Sequence, residues 1–325
     1  MPAVRMGRLA VDQAFKGQGL GGALYEEFLY DASGGKNPAQ RGVAPGTIEP
    51  ELVYVLRGAV KRSVSTVNPV TGERVVTGTT AAAGARVSVN GRPEFGYTLA
   101  DDDGAFALAL NGGGEIVLNV SLDGHAPVQR TVPTGWSDYG VLEDIVLTPL
   151  DEPTSVTLGG VGVAAAGDAI QVVPGSKESD DDGQRQATLL VKPGTDATVV
   201  AADGARSPLT GSVGIRATEL TVGATGDTAM PGSLPPTSGY TYAVEYSIDE
   251  AGNAKSVEFD QPVISYTDNF IDAPVGSAVP TGWYDRVRHA WTPGPDGLVV
   301  RIVAVGGGVD RKSTRLNSSH GYISY

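Results

Sequence analysis

From Leu56 to Pro149 the chain carries short runs in which alternate residues are apolar, most of them bounded by glycine, asparagine or aspartate. In AGARVSVNG the apolar set is Ala85, Val87 and Val89; in GAFALAL it is Phe106, Leu108 and Leu110. A period of two places one set on a single face of a strand, whereas a helix needs a period near 3.6. Asn68, Pro69 and Gly72 mark one turn, and Asp101 to Gly104 another. Strand-sized runs recurring roughly every 8–12 residues predict a β-sandwich of immunoglobulin size. The predicted core is Val60, Val87, Val89, Phe106, Leu108 and Val120.

The same texture continues past a short linker at 151–155. QATLLVKPGTDATVVAADG, IRATELTVG, GYTYAVEYSI and SVEFDQPVISYTDNF read as further strands, and GWYDRVRHAWTPGPDGLVVRIVAV as a terminal meander with a turn at Pro295-Asp296-Gly297. The 45 glycines and 21 prolines agree with many turns, and 41% hydrophobic residues suffice for packed cores. The predicted fold class is all-β: tandem β-sandwich modules, with a short N-terminal α/β fragment and a disordered C-terminal tail. A net charge of −13 argues against nucleic acid and anionic membrane as partners. The absence of cysteine excludes disulfides and cysteine-ligated metals. No apolar run reaches the roughly 20 residues of a membrane helix, and no signal peptide follows Met1.

Four motifs in order resemble the carboxypeptidase regulatory-like domain, a transthyretin-like sandwich: Gly58-Ala59-Val60, Gly84 to Val89, Asp101 to Phe106, and Gly124-His125-Ala126-Pro127. His125 stands where that family prefers an aromatic. The resemblance implies an accessory module of exported proteins without catalytic residues. A wider pattern of GVAPGTI at Gly42–Ile48, LPPTSGYTYAVE at Leu234–Glu245 and VEFDQPV to Trp291 resembles the N-terminal region of bacterial RHS/YD-repeat proteins. It implies an extracellular or cell-surface parent whose downstream repeat region is the partner of these modules, with a cell-surface glycan or protein as a further partner.

The two ends differ from the middle. LAVDQAFKGQGLGG resembles the acetyl-CoA motif of GCN5-related N-acetyltransferases, with Lys16, Gly17, Gln18, Gly19, Leu20 and Gly21 forming the loop. Glycines there let backbone N–H groups approach a pyrophosphate. The resemblance covers only residues 1–24, and the broken sequence after Tyr25 supplies no further part of that fold. Asp310 to Tyr325 can be back-translated into the indexed adapter of short-read sequencing libraries, which implies an assembly artefact at one end and a misjoin at the other. The expected layout is thus 1–24 acetyltransferase fragment, 25–51 linker, 52–150 sandwich, 151–155 linker, 156–309 second all-β region of one or two modules, and 310–325 artefact.

The acidic clusters Asp101–Asp103 and Asp180–Asp182 read as capped turns, each with a calcium loop as the alternative. His125, His289 and His320 have no partners at metal or triad spacing. No catalytic or metal-ligating residue is assigned. Two alternatives stand beside the non-catalytic scaffold: an acetyltransferase using acetyl-CoA at Lys16–Gly21, and a carbohydrate-binding module stacking sugars on Trp283, Tyr284 and Trp291.

Overall fold

The computed structural model describes residues 40–44, 46–159, 169–234, 239–252 and 254–301, and the strands at 304–306, 309–311 and 323–324. Lys16–Gly21, expected from the sequence to resemble an acetyl-CoA loop, and most of the adapter-like tail lie outside the described residues. The chain is nearly all β and forms two compact units.

The first unit contains residues 81–122 and 127–145 with the described residues up to Lys61. Its strands are β1 (Gln40–Arg41), the first part of β2 (Val53–Val67), the last residue of β3 (Glu73–Ala81), β4 (Arg86–Val89), β5 (Tyr97–Leu99), β6 (Ala105–Asn111), β7 (Gly114–Ser121), β8 (Val128–Thr134), β9 (Asp138–Val141) and the start of β10 (Ile145–Leu147). One sheet runs β1-β5-β4-β7-β8. In the other, β2 pairs antiparallel with β6 and parallel with β9. All six predicted core residues are buried, with Val60, Val87, Leu108 and Val120 fully so. Full burial of a side chain such as Leu108 contributes about 1.5–3 kcal/mol.

The motif spacing has a packing cause. Gly58 stands opposite Phe106 in the β2–β6 register, and a Cβ on Gly58 would lie 2.9 Å from the Phe106 ring. Gly104 has φ 81°, and a Cβ there would lie 2.3 Å from the Val60 carbonyl oxygen. Asp101 closes the same turn by accepting the N–H groups of Asp103 and Ala105 on one carboxylate oxygen. This is the capped turn that the sequence predicts. On the other side of β6, the Gln40 side-chain amide donates to Ala109 O at 2.8 Å and accepts from Ala109 N at 2.8 Å.

The second unit contains residues 62–80, 123–126 and 146 onwards. It begins with the hairpin formed by the end of β2 and most of β3, turned at Asn68–Gly72. Next come β11 (Thr154–Leu158), β12 (Gln171–Asp180), β13 (Gly183–Val191), β14 (Ala197–Val200), β15 (Arg206–Leu209), β16 (Gly211–Glu219), a one-turn helix α1 (Gly226–Ala229), β17 (Val244–Ile248), β18 (Ser256–Phe259) and β19 (Ile264–Thr267). Strands β3, β12, β13 and β19 are neighbours in that order, and β11-β16-β17 and β15-β14-β18 form further sheets. Val156, Leu158, Val173, Leu189, Val191, Val213, Ile215, Ile248 and Val257 meet in one core.

The terminal meander is one long hairpin. Strand β20 (Ala278–Val279) pairs with β23 (Gly297–Leu298), and β21 (Gly282–Asp285) pairs with β22 (Ala290–Pro293). The reversal falls at residues 286–289, not at Pro295-Asp296-Gly297. Asp285 accepts the N–H groups of Val287 and Arg288, so the side chain fixes the bend one strand earlier than the proline does. Two more short strands pair with each other, β24 (Ala304–Gly306) and β25 (Val309–Arg311). Strand β26 (Ile323–Ser324) lies antiparallel to β18.

Candidate functional site

Strand parity builds an unexpected site in the second unit. On β13, Ala187, Leu189 and Val191 face the core, and Arg185 continues the same row. On β16 the inward row is Val213, Ile215 and Ala217, and Glu219 continues it. Strand β12 shifts register between Pro174 and Lys177, which turns Glu178 inward after Val173. Glu178 therefore stands directly between Arg74 on β3 and Arg185 on β13. Arg185, Glu178 and Glu219 are 1%, 0% and 3% exposed.

Arg185 donates to Asp180 at 2.6 and 2.8 Å and to Glu219 Oε1 at 2.7 Å. Its guanidinium carbon lies 4.7 Å from the Phe270 ring centre, within cation–π range. Thr221 donates its hydroxyl to Glu219, and the backbone N–H of Gly223 donates to Asp180. Arg74 donates to Asp151 at 2.6 Å and forms an ion pair with Glu178. Asp151 also accepts the Ser176 N–H, and its carbonyl accepts from Arg216, whose charge is answered by Asp249. The residue that opens the stretch read as a linker is thus buried and fully engaged.

Within this cluster four carboxylates, Asp151, Glu178, Asp180 and Glu219, face two guanidiniums, Arg74 and Arg185. Neither Glu178 oxygen has a well-aligned hydrogen bond, and Glu219 Oε2 has none. Burial pushes the Glu178 carboxyl up to about 7, against the lowering by Arg74. Burial also raises Glu219, against Thr221 and Arg185. Asp180 goes the other way, lowered chiefly by its bonds to Arg185. Burial and the charge of Glu219 raise the Tyr242 hydroxyl. A small cleft of about 20 Å³, lined in part by Ser63, Ser65, Arg74, Thr148, Glu219 and Thr225, reaches the network. That volume admits about one water. The cluster ties β3, β12, β13 and β16 together and carries more carboxylates than guanidiniums.

Of the described residues singled out from the sequence, Asp180 joins this network and the others fall elsewhere. Asp180 caps its turn by accepting the Asp182 N–H, as predicted, but its carboxylate also serves Arg185. Among the described residues no three His, Cys, Asp or Glu side chains converge as a metal site requires. Trp283, Tyr284 and Trp291 do not form one platform. Tyr284 stands opposite Trp291 with rings tilted by 58° at 5.6 Å, and Tyr284 is buried. Trp283 is the preceding residue on the strand and points to the opposite face, 37% exposed.

Residues 49–147 match the model of the teneurin TTR-like domain. The first unit's sandwich is accordingly transthyretin-like. Teneurin-3 of Danio rerio is 29% identical over 98 residues, which is 30% of this chain and 4% of that protein. The chain therefore spans a small fraction of the curated relative it matches. A streptococcal ancillary pilin covers 60% of this chain and 59% of its own at 11% identity, with a TM-score of 0.20. A DUF3823 family protein from Parabacteroides merdae covers 66% and 92% at 11% identity, with a TM-score of 0.18. Among the described residues no helix is long and apolar enough to cross a membrane.

Proposed function

We propose that this chain is a non-catalytic β scaffold from an exported or cell-surface RHS/YD-repeat protein, with residues 52–150 as its accessory sandwich and 156–309 as a second β region leading toward the repeats. The observation that carries this reading is the transthyretin-like sandwich at residues 49–147, built on the same glycine, aspartate and phenylalanine positions that define the regulatory-like motifs. The motif series on both sides of it, from Gly42 to Trp291, supports the repeat-protein context. Residues 1–24 and 310–325 are foreign to that parent in this reading. The two ends are each net basic by two charges, so the middle is more acidic than the −13 of the whole chain.

The test is to sequence the parent locus through codons 20–30 and past codon 309. One reading frame with an export signal upstream and tyrosine–aspartate repeats downstream is expected. An uninterrupted acetyltransferase frame across codon 25 would refute the proposal. So would micromolar acetyl-CoA binding by the full chain that is lost on changing Gly19 and Gly21 to bulky residues.

A further inference from the structure

Three buried carboxylates, Asp151, Glu178 and Glu219, and the half-buried Asp180 face the buried Arg185 and the half-buried Arg74, which leaves this cluster short of positive charge. The groups facing Glu178 come from every element around it: Arg74 from β3, Arg185 from β13, Asp180 from its own strand, Asp151 from the segment before β11, and Glu219 from β16. Tyr242 is a further titratable group beside Glu219. Arg216 does not close the deficit, because Asp249 takes its charge. Uncompensated charge in a low-dielectric interior is relieved by taking up protons. The three oxygens without a well-aligned hydrogen bond belong to Glu178 and Glu219, and the cleft that Glu219 and Arg74 help to line brings water to the edge of the cluster.

We propose that Glu178 and the carboxylates around it hold one proton in this charge-deficient cluster, and that this proton is a latch: as it is given up, the β3–β12–β13 pairing of the second unit loosens. With the proton bound, Arg74 serves Asp151 and touches a neutral Glu178, and Arg185 serves Asp180 and Glu219. With the proton gone, one more negative charge is buried in the same place and no new partner is gained. The direction follows from linkage. In the folded unit Glu178 holds its proton up to about 7, whereas in the unfolded chain a glutamate releases it near 4.5. Between those values the folded state binds more protons, so stability falls as pH rises and levels off above about 7. Asp180 and Asp249 act in the opposite sense, but only in more acid solution, where their lowered carboxyls are protonated.

The test uses the full chain. Urea unfolding of the second unit between pH 5 and pH 8 should show its unfolding constant rising on the order of 100-fold. Amide exchange at β3 and β12 should accelerate over the same range beyond the intrinsic base catalysis. Glu178→Gln should remove most of the slope between pH 5 and pH 8, leaving only the part that belongs to Glu219, whose carboxyl burial also raises. A wild-type profile that is flat or rises with pH overturns the latch, and so does a Glu178→Gln variant that keeps the slope. If that variant fails to fold, carboxyl-carbon NMR of the wild type decides. A glutamate titrating near 7 supports the proposal, and none above about 5.5 refutes it.

Discussion

Replacing Arg185 with methionine removes one guanidinium and its three bonds to Asp180 and Glu219 but keeps most of the side chain's stem. Arg185 is 1% exposed, and Phe270 covers its guanidinium. Methionine fills the lost volume against that ring, so packing changes little. What remains is a half-buried aspartate and a buried glutamate without a counter-charge. Breaking a buried pair from one side typically costs about 3–5 kcal/mol. The loss should be read at pH 7 from urea unfolding, using a Trp136→Phe background. Trp283 and Trp291 then report on the second unit alone, because Trp136 belongs to the first. The variant's midpoint should fall with the slope unchanged, and part of the loss should return toward pH 5 as Glu219 and Glu178 take up protons. Adding Glu219→Gln should also recover a fraction, giving a coupling energy between the two sites. A loss under about 1 kcal/mol at pH 7, or a loss independent of pH, would show that the network is not the electrostatic anchor described here.

Leu108→Ala should cost the first unit about 2–5 kcal/mol in urea unfolding, because the side chain is fully buried between the two sheets. Gly104→Ala should cost at least about 1 kcal/mol, since the new methyl meets the Val60 carbonyl at a positive φ. Calcium at millimolar concentration should leave the melting temperature unchanged, because Asp101 and Asp180 already spend their carboxylates on turn N–H groups and Arg185. A calcium-dependent rise would overturn the capped-turn reading.

The sandwich was legible because its signals are local. Val87, Val89, Phe106 and Leu108 alternate without interruption, and Gly104 and Asp101 lie within one turn of each other. The charge network was half visible. Arg185 shares the parity of Ala187, Leu189 and Val191, and Glu219 that of Val213, Ile215 and Ala217, so a charged residue on a buried row was there to be read. Glu178 was not, because the register shift between Pro174 and Lys177 breaks the alternation that would have placed it. Arg74 was also hidden. Its turn GERV looks solvent-facing, and only the parallel pairing of Arg74 with Glu178, about a hundred positions later, brings it inside. The hairpin reversal at residues 286–289 was missed because Pro-Asp-Gly is the louder turn signal, while Asp285 does the capping.

Gln40 carries a consequence for how this chain behaves among its own copies. A strand at the margin of a sheet offers a ladder of amides on which another strand can grow. At Ala109 both rungs on that side of β6 are already taken, by a side-chain amide that copies the donor and acceptor of a peptide group. An incoming strand would have to displace two matched bonds to pair at Ala109. A single glutamine thus closes the sheet to templated growth there, a safeguard for a β-rich chain with many short strands and no cysteine to lock them.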